Sequence, residues 1–239
     1  DARLLIKTDE NFGSARVNFQ QTNENIQNYF KNHSNLQIIT GFIGSTDQHE
    51  TTTLGRGGSD YTASIFGAAL SAKEVQIWTD VDGIMTADPR KVKKAFSLPS
   101  MTYKEAMEMS HFGAKVIHPP TMRPAMERNI PIIIKNTLNP TFPGSIISAK
   151  KSINKYPVKG ISSINDIALL RLEGAGLIGV PGVSQRLFGA LAKEKISVIL
   201  ISQASSEHSI CFAIKPEETS KAKKIIEEEI SHEILDKQV

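Results

Sequence analysis

Over the first 148 residues, short apolar runs alternate with glycine-bearing loops and stretches of helical periodicity, the rhythm of an α/β domain. Residues 37–40, 75–79, 131–135 and 144–147 read as buried strands. Between the first two, residues 59–72 place Ile65, Phe66, Ala69 and Leu70 on one helical face, with Ser59 or Asp60 as the N-cap. Thr102-Tyr103-Lys104-Glu105 has the form of a capping box, and the helix it opens is predicted to stop near Gly113. A short helix follows over residues 120–128.

The texture then changes. Residues 149–159 are polar, basic and proline-bearing, and read as a linker between a first unit, 1–148, and a second, 160–239. In the second unit, residues 166–173 read as a strand. Residues 181–195 follow as a helix with Val183, Leu187, Ala190 and Leu191 on its apolar face. Residues 196–203 and 209–215 read as two strands joined by the turn 204–208. Pro216 opens a last helix carrying Ala222, Ile225, Ile226 and Ile230. The order β-α-β-β-α is most of a ferredoxin-like split βαβ fold. A final strand would complete it, and the last residues supply one poorly.

Composition narrows the classes. With 40% hydrophobic and 22% charged residues the chain has the means to bury a core. A net charge of +3 with dispersed lysines gives no case for nucleic acid or an anionic membrane as partner. No apolar stretch approaches the ~18 residues of a membrane span. Cys211, the single cysteine, lies in an apolar run and reads as strand core. A chain with no internal disulfide suits a reducing, cytoplasmic compartment. The six histidines lack zinc-ligand spacing.

Three segments can carry chemistry. In Thr51-Thr52-Thr53-Leu54-Gly55-Arg56-Gly57-Gly58-Ser59-Asp60, glycines allow close backbone approach and the following helix turns free N–H groups toward an anion. Arg56 can clamp a carboxylate or phosphate, and Asp60 can cap the helix or orient a lysine or metal beside a phosphate. The same string is also compatible with an ordinary glycine turn, and it is not a Walker loop. The second segment, residues 78–90, follows a strand directly, where open α/β sheets bind ligands. Its Asp-x-Asp-Gly start is not a calcium loop, because Met85 and Lys91 stand where Gly and Glu are needed. The third is Phe112-Gly113-Ala114-Lys115-Val116-Ile117-His118-Pro119. A fourth string, residues 174–179, satisfies Gly-x-Gly-x-x-Gly. No acid follows at the ribose position, which falls near Gln203, and too little chain remains for a Rossmann domain.

In this order and spacing, Gly41-Phe42-Ile43-Gly44, residues 51–63, 78–90, 112–119 and 134–137 resemble the aspartate kinases of the amino acid kinase superfamily, over about residues 1–148. Residues 160 to about 228 resemble an ACT regulatory domain. The string from Val198 to Ile210 is similar to the bifunctional members, fused to homoserine dehydrogenase and inhibited by threonine. The resemblance implies the C-terminal half of an amino acid kinase α/β sandwich followed by a βαββα ACT domain. It also implies transfer of the γ-phosphoryl group of ATP to L-aspartate with Mg²⁺. Thr79, Asp80, Met85, Asp88, Arg90 and Lys115 then fall where the family contacts ATP. Phe42, Arg56 and Ser59 fall where it holds aspartate, and Asp60 matches the residue that organises the catalytic lysine. Gln203 is the expected effector reader, with threonine favoured over lysine, and homo-oligomers pairing through ACT units are expected.

The family's opening Lys-Phe-Gly-Gly-Thr-Ser strand and loop, with its lysine, is absent, as is the upstream acid that holds the substrate amino group. The chain is therefore expected to be a truncated piece, inactive alone. A relative acting on glutamate or uridylate, and a non-catalytic amino-acid sensor with a kinase-like half, remain as alternatives.

Overall fold

The computed structural model describes residues 1–111, 117–151, 158–174, 180–203 and 209–235. The chain divides into two compact units, Asp1–Ser163 and Ile164–Val239.

The first unit opens with a 3-10 turn (Ala2–Leu4) and then helix α1 (Phe19–Lys31), capped by the Asn18 side chain, which accepts from the Gln21 amide at 3.3 Å. Next come a two-stranded antiparallel ribbon, β1 (Ile43–Ser45) and β2 (Thr51–Thr53), and helix α2 (Gly58–Ala69). A mixed four-stranded sheet is built from β3 (Val75–Thr79), β4 (Ser100–Thr102), β5 (Ile132–Asn136) and β6 (Ser145–Ser148), in the order β3-β5-β6-β4. Helices α3 (Tyr103–His111) and α4 (Pro119–Glu127) lie between β4 and β5 in sequence. The sheet's period-two alternation puts Val75, Ile77, Ile132, Ile134, Ile147 and Met101 on one buried face, packed with Ile117, Met122 and Ala125. A second cluster gathers Ile6, Ile26, Leu54, Ile65, Phe66 and Ala69.

The capping box is present as read. Glu105 N–H donates to Thr102 Oγ1 at 3.2 Å, and Thr102 N–H donates to a Glu105 carboxylate oxygen at 2.8 Å. The predicted stop near Gly113 lies outside the described residues. Several other expectations are corrected. Residues 37–40 form no strand: no neighbouring strand pairs with them among the described residues, and Leu36 and Ile38 are each 95% exposed. Helix α2 begins at Gly58 with Gly57 as its N-cap, not Ser59 or Asp60, and Leu70 lies past its end and exposed.

The second unit is a three-stranded antiparallel sheet, β7 (Ala168–Glu173), β9 (Ser209–Ile214) and β8 (Leu200–Gln203) in that spatial order, with α5 (Val183–Lys193) and α6 (Thr219–Glu229). Leu172, Leu187, Leu191, Phe212, Ile214 and Ile226 form its core, and Phe188 meets Phe212 edge-on at 6.0 Å. The β-α-β-β-α order is as read. Pro216 opens a 3-10 turn rather than α6 itself. A short helix α7 (Ser231–Leu235) follows where a completing strand was expected. Cys211 is half-buried and points away from Phe212's face, because neighbours in a strand alternate sides. Arg186 on α5 pairs with Glu229 and Glu233 and donates to the Glu229 carbonyl, tying the end of α6 to α5. Among the described residues, no helix is long and apolar enough to cross a membrane.

Candidate nucleotide and substrate sites

The glycine loop after β2 is held tightly. Gly55 and Gly57 both take left-handed backbone angles, which bend the chain into α2. The Gly41–Phe42 backbone lies against the first turn of α2: a Cβ at Gly58 would sit 2.7 Å from the Phe42 ring, and one at Gly41 3.2 Å from Ser59 Cα. Phe42 N–H donates to Thr62 Oγ1 at 3.1 Å, and that hydroxyl donates to the Gly58 carbonyl at 2.8 Å. Phe42, Ser59 and Asp60 thus meet at one helix start, with the Phe42 ring and Ser59 open to solvent. Arg56 is exposed at the loop tip. Burial pushes the Asp60 carboxyl above its ordinary range, and Asp60 joins no ion pair among the described residues.

The sequence reading gave His118 no functional weight, but it caps α4 directly beside this loop. A Cβ at Gly57 would lie 3.0 Å from His118 Cβ. Burial, and then the charge of Arg56, lower its pKa, and its Nδ1 is buried without a hydrogen-bond partner. The only sequence signal was its place after residues 112–116.

The second group follows β3. Thr79 ends the strand and donates from Oγ1 to the exposed Asp80 carboxylate at 3.1 Å. The turn is then pinned from β5 and β6. Asn136 and Asn139 donate to Asp82 Oδ1 at 2.8 and 3.1 Å, and Ile84 N–H donates to Ser145 Oγ at 2.8 Å. Ser97 Oγ donates to the Asp82 carbonyl at 2.9 Å. Residues 84–86 pair with 96–98 through Leu98 N–H to Ile84 O and Thr86 N–H to Phe96 O, with Met85 opposite Ser97. Beyond Met85, Arg90 forks onto Asp88 at 3.0 and 2.8 Å and adds its backbone N–H at 2.9 Å. The guanidinium beside it holds the Asp88 carboxyl down at about 2. Trp78 stands half-exposed, with the Lys135 ammonium 5.0 Å from its ring centre.

The structure therefore gathers Phe42, Arg56, Ser59 and Asp60 at the start of α2, and Thr79, Asp80, Met85, Asp88 and Arg90 along one segment after β3. No hydrogen bond or ion pair joins the two groups among the described residues. Lys115 lies outside the described residues. Asp82, Asn136, Asn139 and Ser145, which fix the segment's shape, were missed in sequence: their roles depend on loops far apart in the chain. Among the described residues, no three His, Cys, Asp or Glu side chains gather as a metal site. In the second unit, Ser184 Oγ donates to Gln203 Oε1 at 3.4 Å across the mouth of a 220 Å³ cavity. Gly182, Val183 and Ile210 also line it.

Residues 1–136 match the amino acid kinase family and residues 170–230 an ACT domain. The chain is 45% identical, over 91% of its length, to the chloroplastic bifunctional aspartokinase/homoserine dehydrogenase 2 of Arabidopsis thaliana, of which it covers 24%. It is also 45% identical, over 84% of its length, to the bifunctional aspartokinase/homoserine dehydrogenase of Haemophilus influenzae, covering 25% of that protein. The chain thus spans about a quarter of the length of these curated relatives. The solved structure of E. coli aspartokinase III in complex with lysine and aspartate is similar with a TM-score of 0.70 and 36% identity, over 90% of this chain and 48% of that one. Its complex with aspartate and ADP gives a TM-score of 0.64 and 27% identity, over 96% of this chain and 69% of that one. Matched over more than half its length, the chain belongs to the amino acid kinase family and carries an ACT domain behind the kinase portion.

Proposed function

We propose that this chain is the nucleotide-binding half of an aspartate kinase domain with its effector-binding unit. The observation that carries the reading is the segment after β3, fixed by the Asp82 and Ser145 contacts, which presents Asp80 and Arg90 in a chain similar to a kinase solved with aspartate and ADP. The reaction is attack of an aspartate side-chain carboxylate oxygen on the γ-phosphorus of ATP. The bond to the β–γ bridging oxygen breaks, and ADP leaves with that electron pair. Asp80, Thr79 and Met85 face the nucleoside; Arg90 and Lys115 neutralise phosphate charge. The Arg90 side chain is 73% exposed and, among the described residues, pairs only with Asp88, a surface pair weak enough for a phosphate to displace. Magnesium would enter with the nucleotide as Mg-ATP and supply charge neutralisation at the phosphates; among the described residues no cluster of carboxylates gathers as a metal site.

Arg56 at the loop tip pairs with the α-carboxylate of aspartate, while Phe42 and Ser59 border it. Asp60, half-buried and without a cationic partner among the described residues, suits a carboxylate that orients a lysine supplied by chain beyond this piece. Alone, the piece does not turn over. The cavity at Gln203, opening at the N-terminal end of α5, takes the amino-acid effector, with threonine favoured. Exposed Leu200 and Ile201 on the edge strand β8 suit pairing with a second copy. The test is calorimetric titration with L-aspartate. Arg56→Ala is expected to weaken binding about tenfold or more, the loss of one charge-assisted pair, and Lys31→Ala to leave it unmoved. Equal affinity for the Arg56→Ala and intact chains would remove Arg56 from the substrate site.

A further inference from the structure

The segment that precedes the second unit does more than connect. Ile161 N–H donates to the Thr86 carbonyl at 2.8 Å, and Lys91 Nζ donates to Ser163 Oγ at 2.9 Å. Lys159, with its side chain only 16% exposed, pairs with Glu105 at 2.8 Å. Gly160 lies so close that a Cβ there would stand 2.6 Å from Met109 Cε and 3.2 Å from the Thr86 carbonyl. Glu105 is already fixed as the capping-box acid of α3, so Lys159 is anchored to a rigid helix start. Thr86 is consequently bonded on both sides: its N–H to Phe96 and its C=O to Ile161. Residues 96, 86 and 161 run side by side as three neighbouring chain segments, and Asp88 and Arg90 hang directly from the middle one.

We infer that residues 159–163 are a positioning strap for the nucleotide segment, fastened by the Ile161 amide, the Lys159–Glu105 pair and the Lys91–Ser163 bond. The strap sets the backbone from Met85 to Arg90, and so the place from which Arg90 reaches a phosphate. This rests on the nucleotide reading given above.

Ile161 has a 68% exposed side chain, so Ile161→Pro removes the donated N–H with little loss of packing, while Ile161→Ala keeps it. Amide exchange of the unliganded chain should speed up about tenfold or more at residues 86–92 in Ile161→Pro, while β5 amides keep their intact-chain rates. Ile161→Ala should match the intact chain throughout. Mg-ATP dissociation constants should weaken about fivefold in Ile161→Pro and in Lys159→Ala, with Lys159→Arg restoring most of the loss. Unchanged exchange at 86–92 overturns the strap. Faster exchange with unchanged Mg-ATP affinity overturns its positioning role. An intact chain that binds no Mg-ATP overturns the nucleotide reading and that role together, while the exchange rates still decide whether the strap holds the loop.

Discussion

Gly144→Ala is expected to destabilise the first unit by about 3 kcal/mol or more, lowering its melting temperature by roughly 6–12 °C. Gly144 has φ +81°, a conformation that costs any residue with a Cβ. The greater effect is steric. The added Cβ would stand 2.0 Å from the Ile134 carbonyl oxygen and 3.1 Å from its carbonyl carbon, and no rotamer relieves a clash with backbone. Ile134 is fully buried in β5, where it pairs with Ser145 of β6, so relief means prying β6 from β5. Gly13→Ala is the matched control: Gly13 has φ +92° but no atom within 4 Å of its Cβ position, so only the backbone cost of ~1 kcal/mol remains. Thermal melts followed at Trp78, the chain's single tryptophan and a residue of β3, read the first unit alone. Equal melting of the two variants would refute the β5–β6 clash.

Ser145→Ala is the second large effect. Ser145 has no exposed surface, and its hydroxyl donates to the Leu98 carbonyl while accepting from Ile84 N–H. Alanine leaves a buried amide and a buried carbonyl without this partner, at a cost of about 2–3 kcal/mol. Because Ile84 follows the Asp82–Gly83 turn, the loss also frees the start of the segment proposed to bind nucleotide. Mg-ATP affinity should therefore fall together with stability. Ser97→Ala, which removes a half-buried bond to the Asp82 carbonyl and a long 3.3 Å contact with Ser145 Oγ but leaves the Ser145 bonds to Ile84 and Leu98 in place, should cost about 1 kcal/mol by the same Trp78-monitored melts. A Ser145→Ala chain as stable as the intact one would mean that water or rearrangement satisfies Ile84.

What could be read in the sequence follows the range of the interactions. The Thr102–Glu105 box, the strands read at 75–79 and 131–135 (the latter found at Ile132–Asn136), and the βαββα order rest on local period and capping, and all are present. Helix α1 escaped because its face buries only Thr22 and Ile26 among polar neighbours, and the cap at Asn18 was its best local sign. The β1–β2 ribbon escaped because its strands are three residues each and rich in Thr, Gly and Ser. Residues 37–40 failed the other way: the composition of a strand does not supply a partner to pair with. At the site, the motif strings pointed to the two segments. The side chains that shape the second, Asn136, Asn139 and Ser145, lie 48–57 residues along the chain from the Asp82 and Ser97 groups they bond, beyond any local pattern.

The central claim is that the segment from Trp78 to Arg90 binds nucleotide, and calorimetric titration of the chain with Mg-ATP tests it most directly. The account predicts saturable binding at one site, weakened about tenfold or more by Arg90→Ala and unaffected by Arg186→Ala in the second unit. Absence of binding, or equal affinity with and without the Arg90 guanidinium, would contradict it.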